Sequence, residues 1–167
     1  MDSRIRKTKG SATLTSFFAR YYLDLCSRIK AECPEIEWIE QDFGQEAFDK
    51  WRPTVAFPAV LIDFPSVSYE AEAGLSQFGE VNVTIRLMVA PFTQSYEDAP
   101  IEVKEDALQY FELEQKLVNI LHGWTPEDSY CQPLIRGSIQ SNNRNDIGLR
   151  IRNLSFSTAY EEDFEIA

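Results

Sequence analysis

The sequence predicts an α+β domain with a single antiparallel or mixed β-sheet and two long amphipathic helices packed on it. Two segments carry apolar residues at the period of a helix, and five others have the composition and alternation of strands. Most connections between the strands are short and hairpin-like, which is typical of α+β domains. The 167 residues, 44% of them hydrophobic, suffice for one domain. We therefore expect a mobile basic tail at residues 1–12 and a single domain at 13–167.

The first helix should begin near Thr13 or Thr15, because both residues can cap a helix N-terminus. Its apolar stripe consists of residues at steps of four, namely Phe17, Tyr21, Leu25 and Ile29. Pro34 ends this helix, since the residue before a proline disfavours the α conformation. A short strand is predicted at Ile36–Glu40, and Phe43–Pro53 is interpreted as a loop or a turn of helix.

The segment Phe57–Phe64 is apolar at both odd and even positions, which predicts a central strand that is covered on both faces. The alternation of apolar and polar residues continues to Ala71. Glu72–Gly79 has the glycines of a hairpin connection. Val81–Val89 then alternates apolar with polar residues, which predicts a strand with one dry face and one largely wet face.

A second helix should begin at Pro100, a favoured first-turn residue, and end at Gly123, a favoured C-terminal stop. Its apolar residues cover about half of the circumference: Val103, Ala107, Tyr110, Phe111, Leu113, Leu117, Val118, Ile120 and Leu121. Two final strands, Leu134–Gln140 and Leu149–Tyr160, are predicted to pair around a run of turn-forming residues. The apolar parity changes within the last strand, and a bulge near Asn153 would restore one apolar face.

Charge and hydropathy argue against several classes of function. The chain has 16 Lys and Arg against 27 Asp and Glu, and this net charge of -11 argues against nucleic acid as the main partner. Its longest apolar run, Val55–Ile62, is far shorter than the ~18 residues of a membrane span, and no signal-peptide core follows the basic N-terminus. Three widely spaced cysteines favour a reducing compartment. We expect a cytoplasmic protein with no membrane partner.

The residue pattern assembles no catalytic, cofactor or metal site. His122 is the only histidine, and its place beside Gly123 favours either a bond to the last carbonyls of the helix or exposure to solvent. One histidine and three scattered cysteines do not provide the four ligands of structural zinc. Glu70 and Glu72 share a strand face and could act as an acid–base pair, although a solvated edge is the simpler interpretation. We therefore predict that the protein is not an enzyme.

Glu114 falls inside the apolar arc of the second helix. A buried carboxylate needs a partner, and the sheet offers three candidates, Arg86, Arg150 and Arg152. The alternative is that Glu114 lies at the margin of the stripe with its carboxylate in water.

As a string of elements, the chain resembles the tail terminator (tail completion) proteins of long-tailed bacteriophages, here in a prophage-encoded form. The resemblance lies in an early amphipathic helix and in four later features over roughly residues 13–163: the strand Phe57–Asp63, the strand Val81–Val89 ending in Ala90-Pro91, the helix running to Leu121-His122-Gly123-Trp124, and the strand Leu149–Tyr160 closing with acidic residues.

This resemblance implies a non-enzymatic structural protein without a cofactor. Such proteins form a ring, typically of six subunits, on the finished tail tube, where they stop polymerisation and offer a surface to the head connector. The implied partners are further copies of this chain, the tail tube protein and the head–tail connector protein. The implied location is the host bacterial cytoplasm during assembly and then the virion tail.

The hairpin is the candidate subunit contact, through Glu72, Leu75 and Phe78, because exposed apolar residues on a loop often mark interaction sites. Packing of Leu75 and Phe78 onto the chain's own sheet is the alternative. Three other functions stay open. They are another neck, minor tail or baseplate-type component, a small ligand-binding α+β domain, and an enzyme that uses Glu70, Glu72 or Glu114.

Overall fold

The computed structural model describes residues 14–45, 56–90 and 95–164. In chain order, the elements are α1 (Phe17–Glu32), β1 (Trp38–Gln41), β2 (Ala59–Ala71), β3 (Gln77–Val89), α2 (Ile101–Leu121), β4 (Ile135–Ser141) and β5 (Arg150–Glu162). The strands form one sheet in the order β1-β2-β3-β5-β4. β1 and β2 are parallel, and the other neighbours are antiparallel. The predicted α+β class is confirmed, whereas the predicted tail at 1–12 and most of the loop at 43–53 lie outside the described residues.

α1 begins later than the sequence predicts. Its N-cap is Ser16, with an extended backbone and no side-chain capping bond, so Thr15 does not cap the helix, and Thr13 lies outside the described residues. Phe17 stacks on Tyr160 of β5 with ring centroids 3.8 Å apart, so tertiary packing rather than a cap fixes the first turn. The helix ends at Glu32, two residues before Pro34, as predicted.

The main core lies between the two helices and one face of the sheet, which we call the helix side. α1 contributes Tyr21, Leu25 and Ile29, and none of the three is exposed to solvent. The sheet contributes inward residues from its three long strands: Val60, Ile62, Val81, Val83, Ile85, Leu87, Leu154 and Phe156. Arg28 of α1 donates a hydrogen bond from Nε to the carbonyl of Ile120 in α2, at 3.0 Å, and this bond joins the helices.

The opposite face of the sheet, which we call the outer face, carries a second, smaller apolar cluster. Its buried members are Ala59, Leu61, Met88, Leu149 and Ile151. β2 is therefore buried on both faces where it begins, and it lies inside the sheet between β1 and β3, as its two-faced apolarity predicts. The middle strand of the five is β3 rather than β2. Met88 was expected on the wet face of its strand, but this cluster buries it completely.

The predicted bulge near Asn153 is wrong. β5 pairs with β3 without any register shift, from Gln77 opposite Glu162 to Val89 opposite Arg150. Its apolar parity changes because Ile151 belongs to the outer cluster, whereas Leu154 and Phe156 face the helices. Register shifts lie instead in β4, between Arg136 and Ser138, and in β2, between Asp63 and Ser66.

α2 begins at Ile101, one residue later than predicted, because Pro100 is its N-cap rather than a first-turn residue. Gly123 ends the helix in the left-handed conformation at φ 79°, as predicted. Its buried stripe is narrower than the sequence suggests: Ala107, Glu114, Leu117, Val118 and Leu121. Phe111, expected in the core, is 40% exposed, and the guanidinium of Arg152 from β5 lies over its ring at 5.2 Å. Within the described ranges, no helix is long and apolar enough to span a bilayer.

Leu117→Ala should lower the free energy of unfolding by about 2–5 kcal/mol, because Leu117 has no solvent exposure and its removal leaves a core cavity. Leu108→Ala is the matched control on the same helix. Leu108 is 43% exposed, so its truncation should cost less than about 1 kcal/mol. Urea unfolding followed by circular dichroism measures both, and equal losses would contradict this placement of the helix face.

Candidate interaction surface

The β2–β3 hairpin is the candidate contact element, and the structure fixes its tip by local bonds. The amide of Glu72 donates to the carbonyl of Ser76 at 2.9 Å, and Gly74 takes the turn at φ 72°. The hydroxyl of Ser76 donates to the carboxylate of Asp163, just beyond β5. The tip is therefore tied to the end of β5 and is not a free loop.

The three predicted contact residues lie on this hairpin with different exposures. Glu72 is exposed and Leu75 is 48% exposed at the tip, whereas Phe78 is half-buried within β3. Phe78 lies in register with Glu70 of β2 and Glu161 of β5, so its ring stands between two carboxylates on the outer face. Leu75 is thus available to a partner, and Phe78 is partly covered by the chain's own sheet.

Aromatic packing on the helix side holds the hairpin against α1. Tyr69 and Tyr160 flank Gly79, and their hydroxyl groups are hydrogen-bonded at 2.7 Å. A Cβ atom at Gly79 would lie 2.8 Å from Cε1 of Tyr69 and 3.0 Å from Cε1 of Tyr160. Burial, followed by the hydrogen bond with Tyr69, raises the pKa of Tyr160 above its usual range. Only glycine therefore fits between the two rings.

A further set of contacts connects α1 to the segment before β4. The guanidinium of Arg20 lies 3.9 Å from the ring centroid of Tyr130 and also forms an ion pair with Asp128. The Tyr130 hydroxyl donates to the carboxylate of Asp24. Burial raises the pKa of Tyr130, and its bond to Asp24 adds to the effect. No local pattern predicts these contacts, because more than a hundred residues separate the partners.

Glu114 is buried, and Arg152 is its partner, which confirms the expectation of an arginine from the sheet. The guanidinium makes two hydrogen bonds to the carboxylate, one from Nε and one from Nη2 at 3.1 Å. The carboxylate raises the pKa of Arg152 above its ordinary value. The pair fixes α2 on β5 and is a structural tie.

The other groups considered for chemistry are not brought together. Glu70 and Glu72 are both exposed at the hairpin. His122 follows α2, where its Nδ1 accepts a hydrogen bond from the amide of Arg136 in β4 at 3.1 Å. His122 was expected either to bond the last carbonyls of the helix or to face solvent. It is exposed to solvent, and its hydrogen bond is to the amide of β4 rather than to a helix carbonyl.

Cysteines and cavities add no enclosed reaction site among the described residues. Cys26, Cys33 and Cys131 are free thiols, and burial raises the pKa of Cys33 to about 11. The described ranges bring no three metal-ligating side chains together. A groove of about 440 Å³ runs between α1 and the start of β2, lined by both apolar and polar side chains: Leu14, Phe18, Tyr22, Leu23, Asp42 and Phe64.

A second buried ion pair was missed by the sequence analysis. Nε of Arg86 in β3 lies 3.2 Å from the carboxylate of Asp42, and their side chains are 18% and 9% exposed. Arg86 had been considered as a partner of Glu114. The register places it instead opposite Leu61 of β2, on the outer face.

No protein-family model matches the chain, and no curated protein matches its sequence. Among solved structures, the fold is similar to that of a chain from the virion of a native gene transfer agent particle, with a TM-score of 0.54 and 10% sequence identity. The match covers 88% of this chain and 100% of the virion chain. At this identity the likeness shows a shared α+β fold.

Gly79→Ala should destabilise the protein by about 1–3 kcal/mol, because the added methyl group forces the rings of Tyr69 and Tyr160 apart. Gly137→Ala in β4 is the matched control, since its Cβ would meet only a carbonyl oxygen at 3.4 Å, an ordinary contact distance. Thermal unfolding of both variants tests this. A Gly79→Ala protein as stable as the control would show that the rings do not confine this position.

The Glu114–Arg152 pair should behave as a coupled unit in a double-mutant cycle. Glu114→Ala and Arg152→Ala should each cost about 2–4 kcal/mol, because either change leaves a charge buried without its partner. The double variant should be more stable than the sum of the single losses predicts, by at least about 1 kcal/mol. Additive losses, measured by urea unfolding, would mean that water already replaces the missing partner.

Proposed function

We propose that this protein is a structural component of a phage-type virion that caps the tail tube as a ring. In this role it stops polymerisation of the tube and joins the tube to the head connector. The observation that carries the proposal is the fold match, which spans all of a virion chain and 88% of this one. The order of elements, from α1 through the β2–β3 hairpin to α2 and the long β5, also agrees with the resemblance to tail terminators.

The hairpin supports a binding role for this protein. A closed ring requires each subunit to present two different surfaces that meet head to tail. The hairpin offers an exposed apolar tip at Leu75 on a support that Tyr69, Tyr160 and the Ser76–Asp163 bond hold in place. A contact element that is already ordered loses little conformational freedom on binding.

The placement of the acidic and histidine side chains also favours binding over catalysis. Glu70 and Glu72 are exposed to solvent, and Glu114 forms an ion pair with Arg152. His122 accepts a hydrogen bond from an amide of β4. A general acid or base must stand within hydrogen-bond reach of a substrate held in place, and these groups share no such position. We accordingly propose a non-enzymatic protein that assembles in the host bacterial cytoplasm and remains in the virion tail, with tube, connector and its own copies as partners.

A second candidate within the same class is another neck or minor tail component. The fold match favours it equally, because the matching chain belongs to a virion particle and the likeness concerns the fold alone. The two candidates differ in partner and stoichiometry. A terminator binds tube ends as a ring, whereas an adaptor binds the isolated connector, and pull-down with each purified component followed by native mass spectrometry separates them.

The tube-capping proposal predicts that the protein, mixed with tail tubes from its own particle, appears as a cap at tube ends in negative-stain images. Leu75→Asp and Phe78→Asp should each reduce the capped fraction at least about tenfold, because a buried carboxylate replaces an apolar contact. Leu108→Asp, on a leucine of α2 with a similar exposure (43%), should cap normally.

Circular dichroism of each variant verifies that its fold is intact before the images are scored. Bare tube ends with the native protein would remove the terminator function. Normal caps with both hairpin variants would instead remove the hairpin from the contact and leave the capping function standing.

A further inference from the structure

α1 carries a second apolar stripe beside the one that it buries in the core. Its members recur at steps of four, as those of the buried stripe do, and they begin just before the helix: Leu14, Phe18, Tyr22 and Cys26. None of the four is buried, and Leu14 is 50% exposed. Part of an apolar helix face is therefore left without a cover among the described residues.

This second stripe forms one wall of a continuous furrow, and the edge strand β1 and the beginning of β2 form the other wall. The groove of about 440 Å³ occupies the half near the N-terminus of α1. A second groove of about 340 Å³ shares Leu23 with it and continues past Cys26 to Lys30, opposite Ile39. We call the joined grooves the α1 furrow. From Phe18 to Lys30 it follows ~18 Å of helix.

The α1 furrow is open at the side of the sheet. β1 is the edge strand in the sheet order and its neighbour is β2, so no described strand closes the furrow beyond β1. Leu23, which both halves share, is 50% exposed. A furrow with an apolar wall, an exposed leucine and an open strand edge is suited to an extended segment of chain.

The rim of the furrow is acidic. Its lining includes three carboxylates and one cation, namely Glu37, Asp42, Asp63 and Lys30. Asp42 forms an ion pair with Arg86. Glu37 and Asp63 form no ion pair with any residue that the structure describes. These carboxylates favour an occupant that brings positive charge.

The chain itself has a basic segment that joins it at the mouth of the furrow. Residues 1–13 lie outside the described residues and continue directly into Leu14, which lines the furrow. They contain four basic residues and one acidic residue, in a chain whose net charge is -11. Ile5 stands nine positions before Leu14. Nine extended residues span up to ~30 Å, so Ile5 can reach either half of the furrow.

We infer that residues 1–13 bind in the α1 furrow of their own chain as an extended strap. Successive side chains of an extended segment point to opposite sides, so Ile5 faces the apolar wall while Arg4 and Arg6 face away from it, toward the acidic rim. Covalent attachment gives the segment an effective concentration on the order of millimolar, so weak contacts suffice. The inference is independent of the proposed function.

Cys26 is a natural probe of the strap, because it lines the furrow and is half-buried. Arg4→Glu with Arg6→Glu should raise the rate at which iodoacetamide alkylates Cys26 at least about fivefold, because the reversed charges release the segment. Arg4→Lys with Arg6→Lys should keep the native rate. Cys131, which is buried outside the furrow, should react equally slowly in all these proteins. Peptide mass spectrometry measures both thiols.

The furrow side of the contact is tested by Glu37→Gln with Asp63→Asn, which should expose Cys26 in the same way. Glu105→Gln with Asp106→Asn, on exposed residues of α2, is the matched control and should leave the rate unchanged. In a chain that lacks residues 1–12, Cys26 should already react at the faster rate. The furrow substitutions should then add nothing, which separates loss of the strap from a direct effect of the carboxylates on the thiol.

A disulfide bond locates the segment. Under mild oxidation, the Ile5→Cys variant should form a link to Cys26 within one chain, and Ile5→Cys with Cys26→Ser is the matched control that should not. A link between two chains would place the segment in the furrow of a second copy and overturn the intramolecular strap. Equal alkylation of Cys26 in the native and charge-reversed proteins would overturn it as well. Neither result bears on tube capping, which is measured separately.

Discussion

Backbone pairing of β3 determines how the rest of the molecule is arranged. β3 is paired with β2 on one side and with β5 on the other, from Gln77 to nearly its last residue. The β3–β5 register is continuous over thirteen residue pairs, so each side chain along it is assigned to the helix side or the outer face with no freedom to slip. One end of this ribbon is buried under the helices and the outer cluster, and the other end extends to the hairpin tip.

This register also decides which charges are used inside the fold and which remain outside. Arg152 is directed to α2, where it meets Glu114, and Arg86 is directed to the outer face, where it meets Asp42. Both pairs are largely buried, and burying a charge is tolerated only when an opposite charge meets it with good geometry. Arg136 and Arg150 have no such internal partner among the described residues. The strand register thus decides which arginines are used inside the fold and which stay exposed.

Among the described residues, the candidate functional features are exposed surfaces rather than an enclosed site. A groove of about 440 Å³ lies open along α1. By contrast, the hairpin combines an exposed leucine with an outer face bearing glutamates, and aromatic packing around Gly79 holds it rigid. The proposed ring would need two different contact surfaces on each subunit, and the hairpin is the candidate for one of them.

The sequence by itself determined the elements, their order and where the two helices end. Apolar periods identify both helices and the long strands, Pro34 and Gly123 end the helices, and two-faced apolarity places the start of β2 inside the sheet. These features depend on residues close in the chain, so local chemistry suffices. The need of Glu114 for an arginine also followed from its position in an apolar stripe.

Only the tertiary structure decided which of two buried faces each apolar residue of β5 occupies, and the predicted bulge near Asn153 failed for that reason. The periodicity of apolar residues indicates that a side chain is buried, but it does not show which residues pack against it. The exposure of Phe111, the bond from Arg136 to His122 and the choice among three arginines for Glu114 all depend on contacts between distant segments. Such contacts are fixed by strand register and helix docking, which are properties of the whole fold rather than of any local pattern.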